Sequence, residues 1–348
     1  MGRVIKERCI KRRDAIREAK PTELTISQAF TEFIDVKELA GRVQKTLNNY
    51  RQTMGLFLEF NKFDDTVMKC DEIKLADIEE WIMAMQVGGE DEDGTPLREV
   101  STAAINHYLR DLRAFLYWCM DEERGYISKP FKIQEIEEQE EPPKCYTDEE
   151  LSALLAKPTH RDSFSEWRTW AIVNWMLATG NRTSTVLNIK MKDIDFATGQ
   201  VVLTHTKNKQ GQVTFMSASL ADAVNAYLKE FSPEGEGFTE DDYLFPDISR
   251  TQLTDNGLRK AYQRYCEYRG VERSNLHGLR HTFAKKFIRE GGKAPQLQKI
   301  LGHKTPAQTL HYIHFFDDEI KTDIMDNNPL DNFKKGRTRE AKIRRNRK

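Results

Sequence analysis

The chain lacks several features that would direct a protein out of the cytosol or into a special chemical class. No apolar run approaches the roughly eighteen residues that a membrane span needs, so an integral membrane protein is not expected. No apolar stretch follows the basic opening MGRVIKERCIKRRD, so nothing there reads as a signal peptide, and a cytosolic location is expected. Cysteine is sparse: five residues (Cys9, Cys70, Cys119, Cys145, Cys266), an odd number without a C-x-x-C pair. That speaks against a disulfide framework or a zinc knuckle and leaves reduced, mostly structural thiols. An excess of positive charge is missing too, because the formal net charge is −1. This looks unfavourable for a polyanionic partner, since phosphate binding is driven by Lys and Arg displacing counterions.

The mean charge hides a segregation. The first 25 residues carry eight basic against four acidic side chains, and the tail PLDNFKKGRTREAKIRRNRK carries nine against two. The carboxylates gather instead in QEIEEQEEPPKCYTDEE, residues 134 to 150, where Pro142 and Pro143 complete the pattern of a solvated interdomain linker. Basic ends are either solubilising tails or DNA contacts, and composition alone leaves both open. With 348 residues, the chain is long enough for two domains with separate cores.

The first half is dominated by helical periodicity, and four helices are predicted. Leu47, Tyr50, Met54, Phe57 and Leu58 fall on one face of a helix in TLNNYRQTMGLFLEF. Ile105, Leu109, Leu112, Phe115 and Leu116 do the same in STAAINHYLRDLRAFLYWCM, with Asn106, Arg110 and Arg113 toward the opposite side. Shorter helices are predicted around SQAFTEFI and LADIEEWIMAM, with GGEDEDGTPLRE as an exposed loop. Such a bundle fits DNA binding or none.

In the second half helices and strands mix. Thr147 and Glu150 form a T-x-x-E capping pattern that starts TDEELSALLAK, and EWRTWAIVNWMLATG reads as a buried helix ended by Gly180. IDFATGQVVLTHT and QVTFMS are β-branched and aromatic runs joined by KNKQG, which predicts a small antiparallel sheet with Lys207 and Lys209 at a hairpin. Helices follow near ASLADAVNAYLKEF, DNGLRKAYQRYCEYRG, NLHGLRHTFAKKFIREG, PQLQKILGH and TPAQTLHYIH, the last opened by Pro306 at a permitted first-turn position.

Of eight histidines, His277, His281, His303, His311 and His314 lie between residues 277 and 314. A metal site is one reading, because His277 and His281 stand at i, i+4 on a predicted helix. The intervening Gly, Leu and Arg do not fit: the H-E-x-x-H glutamate is missing and Arg280 would repel a cation. An anion site is the other. A guanidinium grips two phosphate oxygens, and an imidazole donates a hydrogen bond or moves a proton.

At this point the stretches ATGNR, THTKNKQG, HGLRHTFA, LGHKT and TLHYIH, in this order and at these separations, resemble the active-site motifs of the tyrosine recombinases. These are the phage-integrase family of site-specific DNA recombinases. The resemblance covers residues 25 to 328, since the helical half is similar to that family's core-binding domain. It implies a mainly α fold with a small antiparallel β-sheet: a basic segment (1–24), a helical core-binding domain (25–130), an acidic linker (131–145), an α+β catalytic domain (146–328) and a basic tail (329–348). It implies catalytic roles for Arg182, Lys207, His277, Arg280, His303 and the nucleophile Tyr312. Arg182 and Arg280 neutralise the phosphate, His277 takes the phenolic proton, Lys207 protonates the leaving 5′ oxygen, and His303 hydrogen-bonds the phosphate. Lys209 is the alternative acid, His281 a support residue, and Lys45, Arg51, Arg110 and Arg113 candidate DNA contacts.

The implied product is a 3′-phosphotyrosyl link, formed without metal, ATP or any other cofactor. Implied partners are double-stranded recombination sites and three further copies of the chain, a monomer in solution becoming a tetramer on DNA in a prokaryotic cytoplasm. An excision factor or host DNA-bending protein is left open. A helix over residues 315 to 328, with Phe315, Phe316, Ile320 and Ile324 on one stripe, would pack on a neighbouring protomer or within its own domain. Integration and excision of a mobile element is the favoured role. Dimer resolution of the Xer type, a catalytically silent DNA-binding protein and a type IB topoisomerase are the alternatives. Two positions depart from the family pattern: Thr185 stands where an acidic residue is usual, and Asn181 where an apolar one is common.

Overall fold

Thr25 begins the first helix by reciprocal capping: its hydroxyl accepts from the Gln28 amide N–H, and the Gln28 side chain accepts from the Thr25 N–H. The helices that follow in the N-terminal half are α1 (Ile26–Leu39), α2 (Gln44–Asn61), α3 (Leu75–Val87) and α4 (Thr102–Cys119). The computed structural model describes residues 21–90, 96–97, 99–138, 143–203, 211–231 and 237–315, with backbone alone at 21, 89–90, 96–97 and 311–315. The chain divides into a unit of residues 1–140 and a unit of residues 141–348.

The stripes expected on α2 and α4 do build the first core. Leu47, Met54 and Phe57 of α2 and Ile105, Leu109, Leu112, Phe115 and Leu116 of α4 are buried. Phe33 packs edge-on against Phe115 and Trp118, at 5.5 and 5.6 Å between ring centroids. Three local readings need correction. Asn106 is buried rather than on the polar side of α4; its amide exchanges two 2.9 Å hydrogen bonds with the main chain of Ile136. That exchange and the buried Ile133 hold the start of the acidic stretch onto α4, so residues 131 to 136 are part of the first unit's packing rather than a solvated linker. The loop GGEDEDGTPLRE contains an antiparallel pair, β1 (Gly89–Glu90) with β2 (Pro96–Leu97).

In the second unit, Thr147 and Glu150 form the expected capping box of α5 (Asp148–Leu155). Ser163 and Glu166 cap α6 (Phe164–Thr179) in the same way. α6 is the centre of the core: Trp167, Ala171, Ile172, Val173, Trp175 and Met176 are all buried, so it has no polar face. Gly180 ends it at φ +62°, a left-handed conformation that glycine adopts at little steric cost. A Cβ there would stand 2.4 Å from Phe283, so glycine also permits close approach of another helix. After the single turn α7 (Thr183–Val186), the sheet runs in the order β3 (Ile194–Asp195), β4 (Gln200–Leu203), β5 (Gln212–Phe215), antiparallel throughout, with Leu203 opposite Gln212.

Helices α8 (Ala218–Phe231), α9 (Asp255–Tyr268), α10 (Leu276–Arg289), α11 (Ala294–Leu301) and α12 (Pro306–Phe315) complete the described unit. Pro306 opens α12, as its fixed φ and missing N–H allow. Among the described residues no helix is long and apolar enough to cross a membrane. The helix expected from residue 315 onward falls almost wholly outside the described residues, as do the basic segment up to residue 20 and the basic tail.

Candidate active site

The site is assembled at the ends of three helices. Arg182 is the residue that opens α7, two places beyond the Gly180 stop of α6. Arg280 and His277 lie one turn apart on α10, whose first turn is capped by Asn275 accepting from the His277 N–H. His303 follows Gly302, the left-handed residue (φ +62°) that ends α11. The two arginines, on segments far apart in sequence, converge on one carbonyl oxygen, that of Leu301. Arg280 Nη2 donates to it at 3.0 Å and Arg182 Nη1 reaches it at 3.4 Å.

Arg280 is only 2% exposed. A buried guanidinium needs its N–H groups satisfied, because desolvation of an unpaired charge is expensive. Nη1 donates to the Gly180 carbonyl at 2.7 Å, and Nη2 also lies 2.9 Å from His303 Nε2. The close approach that Gly180 permits is therefore also what lets Arg280 reach that carbonyl. The C-terminal end of α11 carries the partial negative charge of a helix terminus, so both cations sit where the helix field favours them.

The histidines are shaped by this cationic surrounding. Desolvation, then the charges of Arg280, Arg182 and His277, push the His303 pKa down to about 4. His277 is shifted the same way by desolvation and then by Arg280 and Arg182, although one side of it stays open to solvent. Both rings are held neutral at physiological pH, and the lone-pair nitrogen of His303 is already taken up by Arg280. His303 Nδ1 contacts Thr309 Oγ1 on α12 at 2.9 Å. His281 meets the His277 ring edge-on at 4.5 Å between centroids, beside the cluster rather than in it. Among the described residues no three His, Cys, Asp or Glu side chains gather so as to hold a metal ion. A cleft of about 1350 Å³ opens beside the cluster, lined by Arg182, Thr185, Gln212, Arg280, Gln298 and His303 among others.

Of the remaining candidates, Tyr312 lies on α12, with its side chain outside the described residues, and His311 and His314 share that position. Lys207 and Lys209 lie outside the described residues. In the first unit Lys45, Arg51 and Arg110 are exposed on α2 and α4. Arg113 pairs through Nη1 with Glu135 at 2.5 Å and lies over the Tyr117 ring, while Arg51 donates to Asn48 Oδ1 and Arg110 to the Asn106 carbonyl on their own helices.

The two family departures have local explanations. Asn181 is buried and accepts from Trp175 Nε1 at 3.0 Å, so a polar residue fits beside α6. Thr185 is buried in the cleft wall, and it is the Leu301 carbonyl that Arg182 Nη1 reaches. Reasoning from side-chain motifs missed the two carbonyls, Gly180 and Leu301, because any residue supplies one. Gly180, read as a helix stop, was the one signal, whereas Gly302, which ends α11, fell inside the helix expected over PQLQKILGH. Thr309 and Gln212 gave none.

Residues 144–319 match the model of the phage integrase family. The chain belongs to that family. It is a tyrosine recombinase, of the enzymes that break and rejoin DNA at specific sites. It is similar to the tyrosine recombinase XerC of Staphylococcus epidermidis, 25% identical over 232 residues that cover 66% of this chain and 77% of the relative. A Staphylococcus aureus XerC is 28% identical over 227 residues, 65% of this chain and 75% of the relative. The fold is also similar to that of XerH recombinase bound to a palindromic difH substrate, with a TM-score of 0.60, 19% identity and coverage of 93% of this chain and 89% of that one. For the Tn1549 transposon integrase in complex with circular intermediate DNA, the TM-score is 0.61 at 20% identity, covering 83% of this chain and 95% of the other.

Proposed function

We propose that this tyrosine recombinase integrates and excises a mobile genetic element, using Tyr312 as nucleophile and the Arg182, His277, Arg280, His303 cluster as its phosphate site. One observation carries the reading: two guanidiniums from separate segments meet on one carbonyl beside an open cleft, with the His303 imidazole against Arg280 and His277 within electrostatic reach of both arginines. A phosphodiester gains charge in its trigonal-bipyramidal transition state, and preorganised donors stabilise charge that develops there. Arg182 and Arg280 supply them. The Tyr312 phenolic oxygen attacks phosphorus, its proton passes to neutral His277, the bond from phosphorus to the 5′ oxygen breaks, and Lys207 gives that oxygen a proton. The 3′-phosphotyrosyl bond then reacts with the 5′ hydroxyl of the partner strand by the reverse route, with no net change in bond count.

His303 enters with a condition. Its Nε2 faces an N–H of Arg280, so it donates to a phosphate only after gaining a proton or changing tautomer. On DNA, four protomers join two sites; in solution the chain is a monomer in the cytoplasm. The mobile-element role is supported by the charged ends beyond the two-unit core and by similarity to a transposon integrase described with a circular intermediate DNA. Dimer resolution is the second reading, favoured by the XerC relatives.

The test begins with a duplex selected from a random pool by the Tyr312→Phe variant. Wild type should form a covalent adduct with that duplex, and Tyr312→Phe should bind it without forming one. Persistent adduct in Tyr312→Phe sinks the nucleophile assignment. Matches to the selected site as direct repeats bounding an element support integration; one match near the replication terminus supports dimer resolution.

A further inference from the structure

We infer that Gln212 is a positioning residue for cleavage, tying the β4–β5 hairpin to the helix end that holds the two arginines. The inference rests on the recombinase reading above. Gln212 is the first residue of β5 and pairs with Leu203, the last of β4, so it stands where the hairpin leaves its ladder. Its side chain does not follow the strand. Nε2 donates to the Ile300 carbonyl at 2.7 Å and to the Lys299 carbonyl at 3.1 Å. A primary amide has two N–H groups, and the last carbonyls of a helix lack intrahelical partners. The Ile300 carbonyl is one of these, and the Gln212 amide caps it, while the Lys299 carbonyl accepts from both the Gly302 N–H and Gln212.

The next carbonyl along α11 is Leu301, the acceptor for Arg280 and within 3.4 Å of Arg182. Three successive carbonyls at one helix end are thus taken by side chains, the first two by the hairpin residue and the third by the guanidinium pair. Gly302 gives the amide room: a Cβ there would lie 3.1 Å from Gln212 Oε1 and 4.0 Å from Arg182 Nη1. A two-stranded hairpin is only marginally stable by itself, so contacts at its base matter. Fixing its base to the same three-residue segment that anchors the arginines sets the distance between whatever the hairpin carries and the phosphate they grip. In the proposed mechanism the hairpin carries the leaving-group acid, so Gln212 acts on departure of the 5′ oxygen rather than on capture of the phosphate.

That distinction is measurable. In a 5′-bridging phosphorothiolate the leaving group is a thiolate, which departs without a proton because its conjugate acid has a pKa of about 8.5, far below that of an alcohol. Gln212→Ala and Gln212→Glu are compared with wild type on the selected duplex, with oxygen or sulfur at the bridging position. Gln212→Ala removes the side chain, whereas Gln212→Glu keeps its shape and removes both donors. On the oxygen substrate, adduct formation in both variants should slow about tenfold or more, a fraction of what general acid catalysis contributes, while DNA binding is retained. On the sulfur substrate both should return to within about threefold of wild type, as Lys207→Ala should, while Arg182→Ala stays slow. Equal slowing on both substrates, or wild-type rates on both, overturns the inference alone. Absence of any wild-type adduct overturns the recombinase reading and the inference with it.

Discussion

Arg280 Nη2 lies 2.9 Å from His303 Nε2, and this contact sets the tautomer of the imidazole. A guanidinium only donates, so Nε2 holds the lone pair, Nδ1 holds the proton, and Nδ1 donates to Thr309 Oγ1. Desolvation and the nearby cations bring the folded pKa to about 4, against roughly 6.5 for an unperturbed histidine. Between those values the unfolded chain binds a proton that the folded chain does not. Stability from this group is therefore complete above the unfolded value and is lost as pH falls toward the folded one. Wild type should lose more thermal stability between pH 6.5 and 4 than His303→Gln, in which this titration is absent. Parallel melting curves across that window would count against the assignment.

The two arginines should separate in their effects. Arg280 is buried and holds the end of α6 to the end of α11 through the Gly180 and Leu301 carbonyls, whereas Arg182 is half-buried with a longer 3.4 Å contact. Lysine cannot span both carbonyls in the guanidinium's fixed plane. Arg280→Lys is expected to cost about 3 kcal/mol of stability, from hydrogen bonds to a charged group worth roughly 1.5–3 kcal/mol each. Arg182→Lys should leave the melting temperature nearly unchanged, while adduct formation falls about a hundredfold or more in both. Equal melting temperatures for the two variants would show that Arg280 is not a structural tie.

Much of this architecture was legible because periodicity and caps act locally. The α2 and α4 stripes, the Thr147–Glu150 box, the Gly180 stop and the Pro306 start each depend on residues within a few turns of one another. Asn106 was misplaced because its partner, the main chain of Ile136, is thirty residues away and carries no pattern. The same limit hid the Leu301 carbonyl. A motif names side chains that meet, but the backbone acceptor on which they meet can belong to any residue, and Gln212 reaches its neighbours across 88 positions.

The Trp175–Asn181 pair tests how a polar residue is accommodated next to Arg182. Both groups are buried, with the indole N–H donating to the amide oxygen at 3.0 Å. Removing one partner strands the other, at a cost of about 1–3 kcal/mol, whereas removing both is close to neutral. Trp175→Phe and Asn181→Leu should each destabilise the protein and slow adduct formation. The double variant should lose less stability than the sum, a coupling of about 1 kcal/mol or more in a double-mutant cycle. Strict additivity would mean that the bond contributes nothing.

Bringing DNA into the cluster reverses the electrostatics that keep the histidines neutral. In the free protein His303 and His277 face Arg280 and Arg182, and added positive charge is disfavoured. A bound phosphate places a negative charge against His303 and favours its cationic form. Near pH 6 a ring that titrates at about 4 in the free protein is almost wholly neutral, so any upward shift on binding must be met by proton uptake from buffer. Calorimetric binding of the selected duplex to Tyr312→Phe, which cannot proceed to cleavage, should then give an enthalpy that depends on the ionisation enthalpy of the buffer. The slope should report uptake at pH 6, shrink toward pH 8, and be reduced at pH 6 when His303→Gln is added. A slope of zero at pH 6, or one unaffected by His303→Gln, would mean that the phosphate does not reach this imidazole, and His303 would have no part in binding it.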